Sequence, residues 1–282
     1  MAGVFQSDPD PDYVRAVSAM IAKGILRALQ NLEPAEIGWA FGSDPSQVFN
    51  RRWFVKPGAD YENPFGSKAD RAWMNPGPAN PKASIPAGPV DPDVAVIVVR
   101  GAVDKRPIGL LANYSLHYVG GNPAISADYF GEFAREMATR LKANDARYDG
   151  KPAFVGIMSN GTSGNINNVN FAVPNRPKRA PGEQIKIVAR SVADAAIVAY
   201  GTIKWDAATT LDTIEADISL KVRKASAAEL ERAKQVVATT RKDKDGQWGE
   251  RKAIYAREAL KLADYPDEVP VKLQVHRIGA LS

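Results

Sequence analysis

The chain contains no cysteine, so disulfides, cysteine-based zinc sites and a thiol nucleophile are excluded. Histidine is scarce too, with two in 282 residues, which confines any imidazole chemistry to very few positions. No apolar run approaches the ~20 residues that a membrane-spanning helix requires. The opening "MAGVFQSDPDPDY" has neither a basic nor an apolar stretch, so no signal peptide is legible in it. Charge of one sign is not concentrated. The net charge of +5 comes from 37 Lys and Arg set among 32 Asp and Glu. Two small basic clusters, "RPKR" (176–179) and "RKDKDGQWGERK" (241–252), read as solvated surface. Nucleic-acid binding calls for a denser basic stripe with interleaved aromatics and is not expected.

What is present is an ordinary globular composition, 45% hydrophobic and 24% charged. Residues 11 to 31 carry Val14, Val17, Met20, Ile21, Ile25 and Leu29 at helical spacing, with Asp10 as N-cap and Pro11 in the first turn. "EIGWAFG" alternates as a half-buried strand. The stretch from Asp44 to Pro92 is dense in proline and aromatics, which excludes a long helix or a central strand. Its Trp53, Phe54, Tyr61, Phe65 and Trp73 predict a covering loop packed on the domain.

"DVAVIVVRG" (93–101) and "PIGLLANYSL" (107–116) read as adjacent buried strands joined by an "AVDKR" turn. A helix is predicted over 127 to 143, a strand over 152 to 159 and a helix over 183 to 203. The order indicates an α/β class, with mixed sheets and flanking helices. The remainder changes character. A one-sided strand carries Ile214, Ala216, Ile218, Leu220 and Val222. A capping box of Ser226 and Glu229 opens a helix, a second runs from 250 to 264, and a last strand carries Val271, Leu273 and Val275. The chain is read as one domain, with residues 1–205 as its α/β core part and 206–282 as a strand-helix-helix-strand part.

His117 falls where a strand ends and a Gly-Gly loop begins. In α/β proteins that is where loops present side chains to a cleft. Metal ligation, proton exchange or a strand-capping hydrogen bond all suit it. Ser126 and Asp128 suit capping of the next helix. The loop from Asn160 to Asn170 also follows an apolar strand. Gly161, Thr162, Ser163 and Gly164 would let backbone amides approach a ligand as in an anion nest, or form a plain turn. Asn165, Asn167, Asn168 and Asn170 offer amides that both donate and accept. His276 lies in the terminal strand pattern and reads as structural.

Three stretches taken together carry a resemblance: "FNRRWF" (49–54), "NYSLHYVGG…ISADYFGEF" (113–133) and "GIMSNGTSGNINNVNF" (156–171). They resemble the neutral/alkaline, non-lysosomal ceramidase family, most of all its bacterial, planctomycete-type branch. "GPVDPDVAVIVVR" (88–100) and "LQVHRIGALS" (273–282) follow the same pattern and order. The resemblance implies a zinc-dependent amide hydrolase of sphingolipid metabolism, in which zinc-bound water attacks the bond between a fatty acid and a sphingoid base. It also implies a secreted or periplasmic setting.

By the same resemblance His117 is a zinc ligand and Arg51 is a catalytic residue facing the cleft, with Asn50 beside it on the substrate. The family's Gly-Asp-Val-Ser-Pro-Asn loop matches Gly164, Asn165, Ile166 and Asn167. That makes Asn165 and Asn167 catalytic candidates and Gly161 and Gly164 substrate-binding ones. Two departures stand out. Asn165 replaces the family's acidic residue and Asn167 its serine, and asparagine can donate to an oxyanion but serves as neither nucleophile nor base. Ceramide is therefore disfavoured, while zinc-dependent hydrolysis of a related N-acyl substrate is retained. The family's other zinc ligands, a His-x-His upstream, a Gly-Glu downstream and a later tyrosine, have no counterpart here. The expectation is an internal piece of a catalytic domain that by itself binds zinc weakly and hydrolyses no ceramide. The alternatives are a metal hydrolase for another amide or ester and a non-catalytic binding module.

Overall fold

In the computed structural model the residues described are 10–121, 125–175, 177–242 and 249–281. The opening segment and parts of the two basic clusters, Arg176 and residues 243–248, lie outside them. The elements are α1 (Pro11–Gln30), β1 (Ala35–Ser43), β2 (Phe49–Asn50), β3 (Arg52–Val55), β4 (Ala72–Met74), β5 (Ala83–Pro86), β6 (Asp93–Gly101) and β7 (Pro107–Tyr114). There follow α2 (Asp128–Arg140), β8 (Val155–Asn160), β9 (Ile166–Asn167), α3 (Glu183–Tyr200), β10 (Leu211–Lys221), α4 (Ala227–Thr239), α5 (Arg251–Ala263) and β11 (Glu268–Ile278).

The central sheet runs β1-β6-β7-β8. Its first two pairings are antiparallel and β7 pairs with β8 in parallel. Parallel neighbours need a crossover, and α2 supplies it. Strand alternation sorts the side chains. Val94, Val96 and Val98 stand on the same face as Leu110, Ala112 and Tyr114, and all six are buried. Helices α2 and α3 cover that face with Tyr129, Phe133 and Met137 from the first and an alanine-rich stripe from the second. Glycine makes the close seating possible at both edges. A Cβ on Gly42 would lie 2.5 Å from the Ala195 carbonyl oxygen of α3, and one on Gly156 would lie 3.0 Å from the Ala134 Cα of α2.

The opposite face of the sheet is open. Phe41, Leu111, Val155 and Ile157 are all exposed on it. Among the described residues the helices thus flank one face of this sheet only. The fold is nonetheless mixed α/β with several sheets, as the order of strands and helices predicts.

The proline-rich stretch is ordered into the small sheet β4-β3-β5 and the pair β2-β9. It packs down through its aromatics, with Trp53 Nε1 donating to the Asn50 carbonyl and Phe65 edge-on to Tyr255 of α5.

Other predictions need correction. The strand expected from residue 152 begins at Val155, because the Pro152 carbonyl instead accepts from Arg106. Arg106 itself, read as part of the "AVDKR" turn, is buried with its guanidinium paired to Glu33. The strand expected to be one-sided, β10, is exposed along its whole length. It pairs in register with β11, and the apolar residues of both lie together on one face with no element packed over them among the described residues. Helix α1 is N-capped by Asp10 as predicted, yet buries none of its residues.

Two outcomes follow from the packing. Gly42→Ala forces β1 away from α3 and should lower stability by about 1–3 kcal/mol in urea unfolding; an unchanged midpoint would mean that the close approach is not tight. Tyr114 and Tyr129 are fully buried, and burial pushes both phenols up from the usual tyrosine value. The unfolded chain ionises near pH 10 and the folded one does not, so their contribution is intact below about pH 10 and is lost above it. In an alkaline titration these two phenols should ionise only with unfolding. Reversible ionisation of all nine tyrosines before any loss of circular dichroism would contradict this.

Candidate active site

Three connections at the carboxyl ends of strands meet in one place. The first is the step between β2 and β3. Pairing of Phe49 with Asn167 and of Asn50 with Ile166 lays this step against the loop after β8. The Arg51 amide then donates to the Asn165 carbonyl at 2.8 Å. Its side chain, half-buried, donates through one terminal nitrogen to the Gly164 carbonyl at 2.7 Å. The other terminal nitrogen stands 3.4 Å from His117 Nε2. The Arg51 Nε is buried and has no hydrogen-bond partner among the described residues.

His117 is placed by the second connection. It follows β7 directly, and its Nδ1 lies 3.1 Å from the Tyr118 carbonyl oxygen. A carbonyl can only accept, so Nδ1 is the donor in this contact; a guanidinium can only donate, so Nε2 is the acceptor toward Arg51. The segment around it is clamped from below. The buried Asp128 carboxylate accepts from the Val119 and Gly120 amides at 2.8 Å each and from its own neighbour Tyr129 at 2.7 Å. The Tyr129 hydroxyl donates to the Leu116 carbonyl. Asp128 holds a left-handed backbone, φ 53°, to reach these amides, a conformation that a non-glycine residue adopts at a cost of order 1–3 kcal/mol. Of the two residues suited to capping this helix, Ser126 accepts from the Asp128 amide at 3.0 Å, whereas Asp128 anchors the histidine loop.

The third connection is the loop after β8. Gly161 sits so close to β7 that a Cβ would lie 2.5 Å from Ser115 Oγ. Its amide donates to the Tyr114 carbonyl, that of Thr162 to Ser115 Oγ, and that of Ser163 back to Gly161. Ser115 Oγ in turn donates to Asp91 at 2.9 Å. Of the two readings of this loop, anion nest or plain turn, the bonding favours the turn, because these three amides are bonded inside the fold. Thr162 and Gly164 are the exposed residues at this turn, and the Gly164 carbonyl accepts from Arg51.

The asparagines divide sharply. Asn50 is buried, donates to the Gly88 and Pro89 carbonyls and accepts from the Arg52 amide. Asn167 donates to Asn75 and accepts from the Val169 amide. Asn168 bridges Gln47 and Gln184. In this structure the side-chain amides of all three are engaged within the fold, including those of Asn50 and Asn167, for which substrate and catalytic roles were expected. Asn165 is half-buried and its side-chain amide makes no hydrogen bond among the described residues. His276 lies on the exposed ribbon beside Thr213, far in the chain from this cleft.

Nothing in the sequence singled out Asp128, Ser115 or Asp91 as supports of the site. The available cues were the proximity of Ser115 to His117 and the place of Asp128 in the same motif. A zinc ion would find one well-oriented donor here, the His117 Nε2 lone pair. It would also meet a guanidinium 3.4 Å from that nitrogen, and no group of three His, Cys, Asp or Glu gathers among the described residues. By themselves these residues do not fit a tetrahedral zinc site, which needs at least three protein donors.

Asp128→Ala should free the histidine loop. The expected loss is about 1.5–3 kcal/mol, with faster hydrogen exchange at the Val119 and Gly120 amides and unchanged exchange in β6. Equal protection of those two amides in the variant would show that the carboxylate is not their anchor.

No protein-family model matches the chain, and no curated protein matches it. Among solved structures it is similar to neutral ceramidase from Pseudomonas aeruginosa, with TM-score 0.48 and 14% identity over 92% of this chain and 41% of that one. A ceramidase complexed with C2 gives TM-score 0.47 and 14% identity over 90% and 42%. The chain thus spans about two fifths of the length of these structures.

Proposed function

We propose that the chain carries the carbonyl-recognition face of a zinc-dependent amide hydrolase of the neutral-ceramidase kind. Its substrates would be N-acyl lipids or related N-acyl compounds met in a secreted or periplasmic setting. The observation that supports this reading is the meeting of the three motif-bearing stretches at one place, through Arg51, His117 and the Gly164–Asn165 turn. An amide carbonyl takes up negative charge as it is attacked, and donors preorganised around it favour that change. The Arg51 guanidinium and the uncommitted Asn165 amide are such donors. Both present N–H donors, so both recognise the carbonyl oxygen by hydrogen bonding.

His117 offers an unprotonated nitrogen at the same place. In this reading it is one zinc donor and the others lie outside the described residues. The chemistry assigned to the residues described is therefore recognition and orientation of the acyl carbonyl. One observation favours a second reading, a binding module that holds an N-acyl group without cleaving it: the Arg51 guanidinium already faces the His117 lone pair.

The test measures fatty-acid release from an N-acylsphingosine, an N-acylethanolamine and a matching ester, together with zinc content. It compares this chain with a form extended at both sides along its gene. Stoichiometric zinc and amide hydrolysis are expected in the extended form. His117→Ala should remove both, and Asn165→Ala should lower kcat by roughly 10²-fold with little change in KM. Zinc and activity that survive His117→Ala would remove the assignment. Metal-free binding of N-acyl compounds that Arg51→Ala abolishes would establish the binding module instead.

A further inference from the structure

A pair of adjoining half-open cavities lies away from the His117 cleft, between the proline-rich sheet and the α4–α5 hairpin. One has a volume of about 650 Å³ and the other about 1050 Å³. They share a wall of Asn63, Phe65, Asp70, Arg223, Arg251 and Tyr255, and neither Arg51, His117 nor Asn165 lines them. Small-molecule sites occupy roughly 300–1,000 Å³, so the smaller falls within that range and the larger at its limit.

Their linings differ in kind. The smaller chamber is aromatic and cationic. Tyr61 and Trp73 stack in it with ring centroids 4.7 Å apart, and Phe65 meets Tyr255 edge-on at 5.2 Å. Arg52, Arg223 and Arg251 line it, and among the described residues none of the three has a carboxylate within ion-pair distance. The acids that share the walls are mostly engaged. Asp70 accepts from Asn63, Glu229 closes the capping box with Ser226, and Glu258 pairs with Arg257 and Lys261. Glu62 is the remaining acid, and Lys252 is taken up by Glu250. The larger chamber has an aliphatic floor of Ala233, Ile254, Ala256, Ala259 and Leu262 between the two helices. Leu262 and Phe65 remain exposed on it.

Unpaired guanidinium groups at one end and an aliphatic floor at the other define a ligand by its chemistry. Guanidinium matches a carboxylate bidentately, and its fork makes this match specific. The excess of cations over acids around the aromatic chamber is small, which favours a monoanion over a dianionic phosphate. We propose that this double cavity binds an anionic amphiphile, a long alkyl chain ending in a carboxylate. Its head would lie against Arg52, Arg223 and Arg251, and its chain would run over Ala233 and Ala259 toward Leu262. The inference does not rest on the amide-hydrolase reading.

Dodecanoate below its micellar concentration is the probe, with isothermal titration for affinity and tryptophan fluorescence as a local readout, since Trp73 stands in the chamber. One dodecanoate per chain is expected. Dodecanol, butanoate and dodecyl phosphate should each bind on the order of tenfold more weakly, and dodecyltrimethylammonium not at all. The paired change Arg223→Gln and Arg251→Gln should weaken dodecanoate by a similar factor and bring it down to the level of dodecanol. Ala259→Trp, which fills the floor, should erase the advantage of dodecanoate over butanoate. Trp73→Phe should remove the fluorescence change and retain the heat. His117→Ala should leave binding unaltered, which separates this outcome from that of the hydrolase test. Circular dichroism shows whether each variant is folded, and Arg52→Gln, a change at an exposed position, serves if the paired variant is not. Dodecanoate binding that is equal to that of the trimethylammonium compound, or unmoved by the arginine changes, would overturn the proposal. So would binding seen only on phosphatidylglycerol vesicles and never with the monomer, since that would make the surface a membrane contact.

Discussion

The Arg51 guanidinium is the contact on which the cleft depends. It reaches His117 and Gly164, which lie 66 and 113 residues further along the chain. The same two loops also meet where the Gly161 and Thr162 amides donate to the Tyr114 carbonyl and Ser115 Oγ. Two terminal nitrogens of one planar group hold a ring nitrogen and a carbonyl at a fixed separation, which a flexible ammonium could not do. The backbone of the same residue is also fixed, because its amide meets Asn165 and its carbonyl accepts from Asn75. Register in the two-residue pair β2-β9 therefore sets where the guanidinium stands. A slip by one residue would turn the side chain to the other face of the strand.

Beneath this contact the site rests on the end of the central sheet. Tyr114, the last residue of β7, is part of the core, yet its carbonyl accepts from Gly161 and its hydroxyl donates to the Asp44 carbonyl at 2.5 Å. Ser115 and Leu116 continue the strand inward, and His117 is the first side chain that turns out. Tyr129 and Asp128, at the start of α2, hold the far side of the same turn. The cleft floor is thus built from groups that also close the core. A substitution there would be felt in both, whereas the Asn165 side-chain amide makes no such bond among the described residues.

Much of this was legible from local pattern. Residues spaced for a helix formed one at α1, α2, α3 and α5, and two caps, Asp10 and the Ser226–Glu229 box, stand where their side-chain chemistry placed them. The position of His117 at a strand end followed from an apolar run meeting glycines. What local pattern could not separate was one asparagine from another. Asn50, Asn165 and Asn167 carry the same amide, and the partners that commit the first and last to the framework are contributed by Gly88 and Asn75, remote in sequence. Arg106 was illegible for the same reason. Its neighbours read as a polar turn, and its burial is decided by Glu33 and the Pro152 carbonyl, from two other parts of the chain.

A related limit governs the apolar faces. Periodicity states which side of an element is apolar and is silent about what lies on it. Helix α1 presents Val14, Met20, Ile21, Ile25 and Leu29 to solvent, the central sheet presents Phe41, Leu111, Val155 and Ile157, and the β10–β11 ribbon presents Ile214, Leu220, Leu273 and Val275. Each element was recognised by its alternation, and the same alternation leads one to expect a buried side. At about 25 cal/mol for each Å² withdrawn from water, covering such surfaces stabilises strongly, and a two-stranded ribbon standing alone is marginal in water. The ribbon carries its pairing through 11 residues of each strand, about 36 Å at strand rise, and α1 extends about 30 Å at helical rise. These lengths, with the alternation, specify the complement each face would take: apolar, elongated and matched to a straight element. That specification is one of shape and polarity, carried by the spacing of residues, and it names no particular sequence.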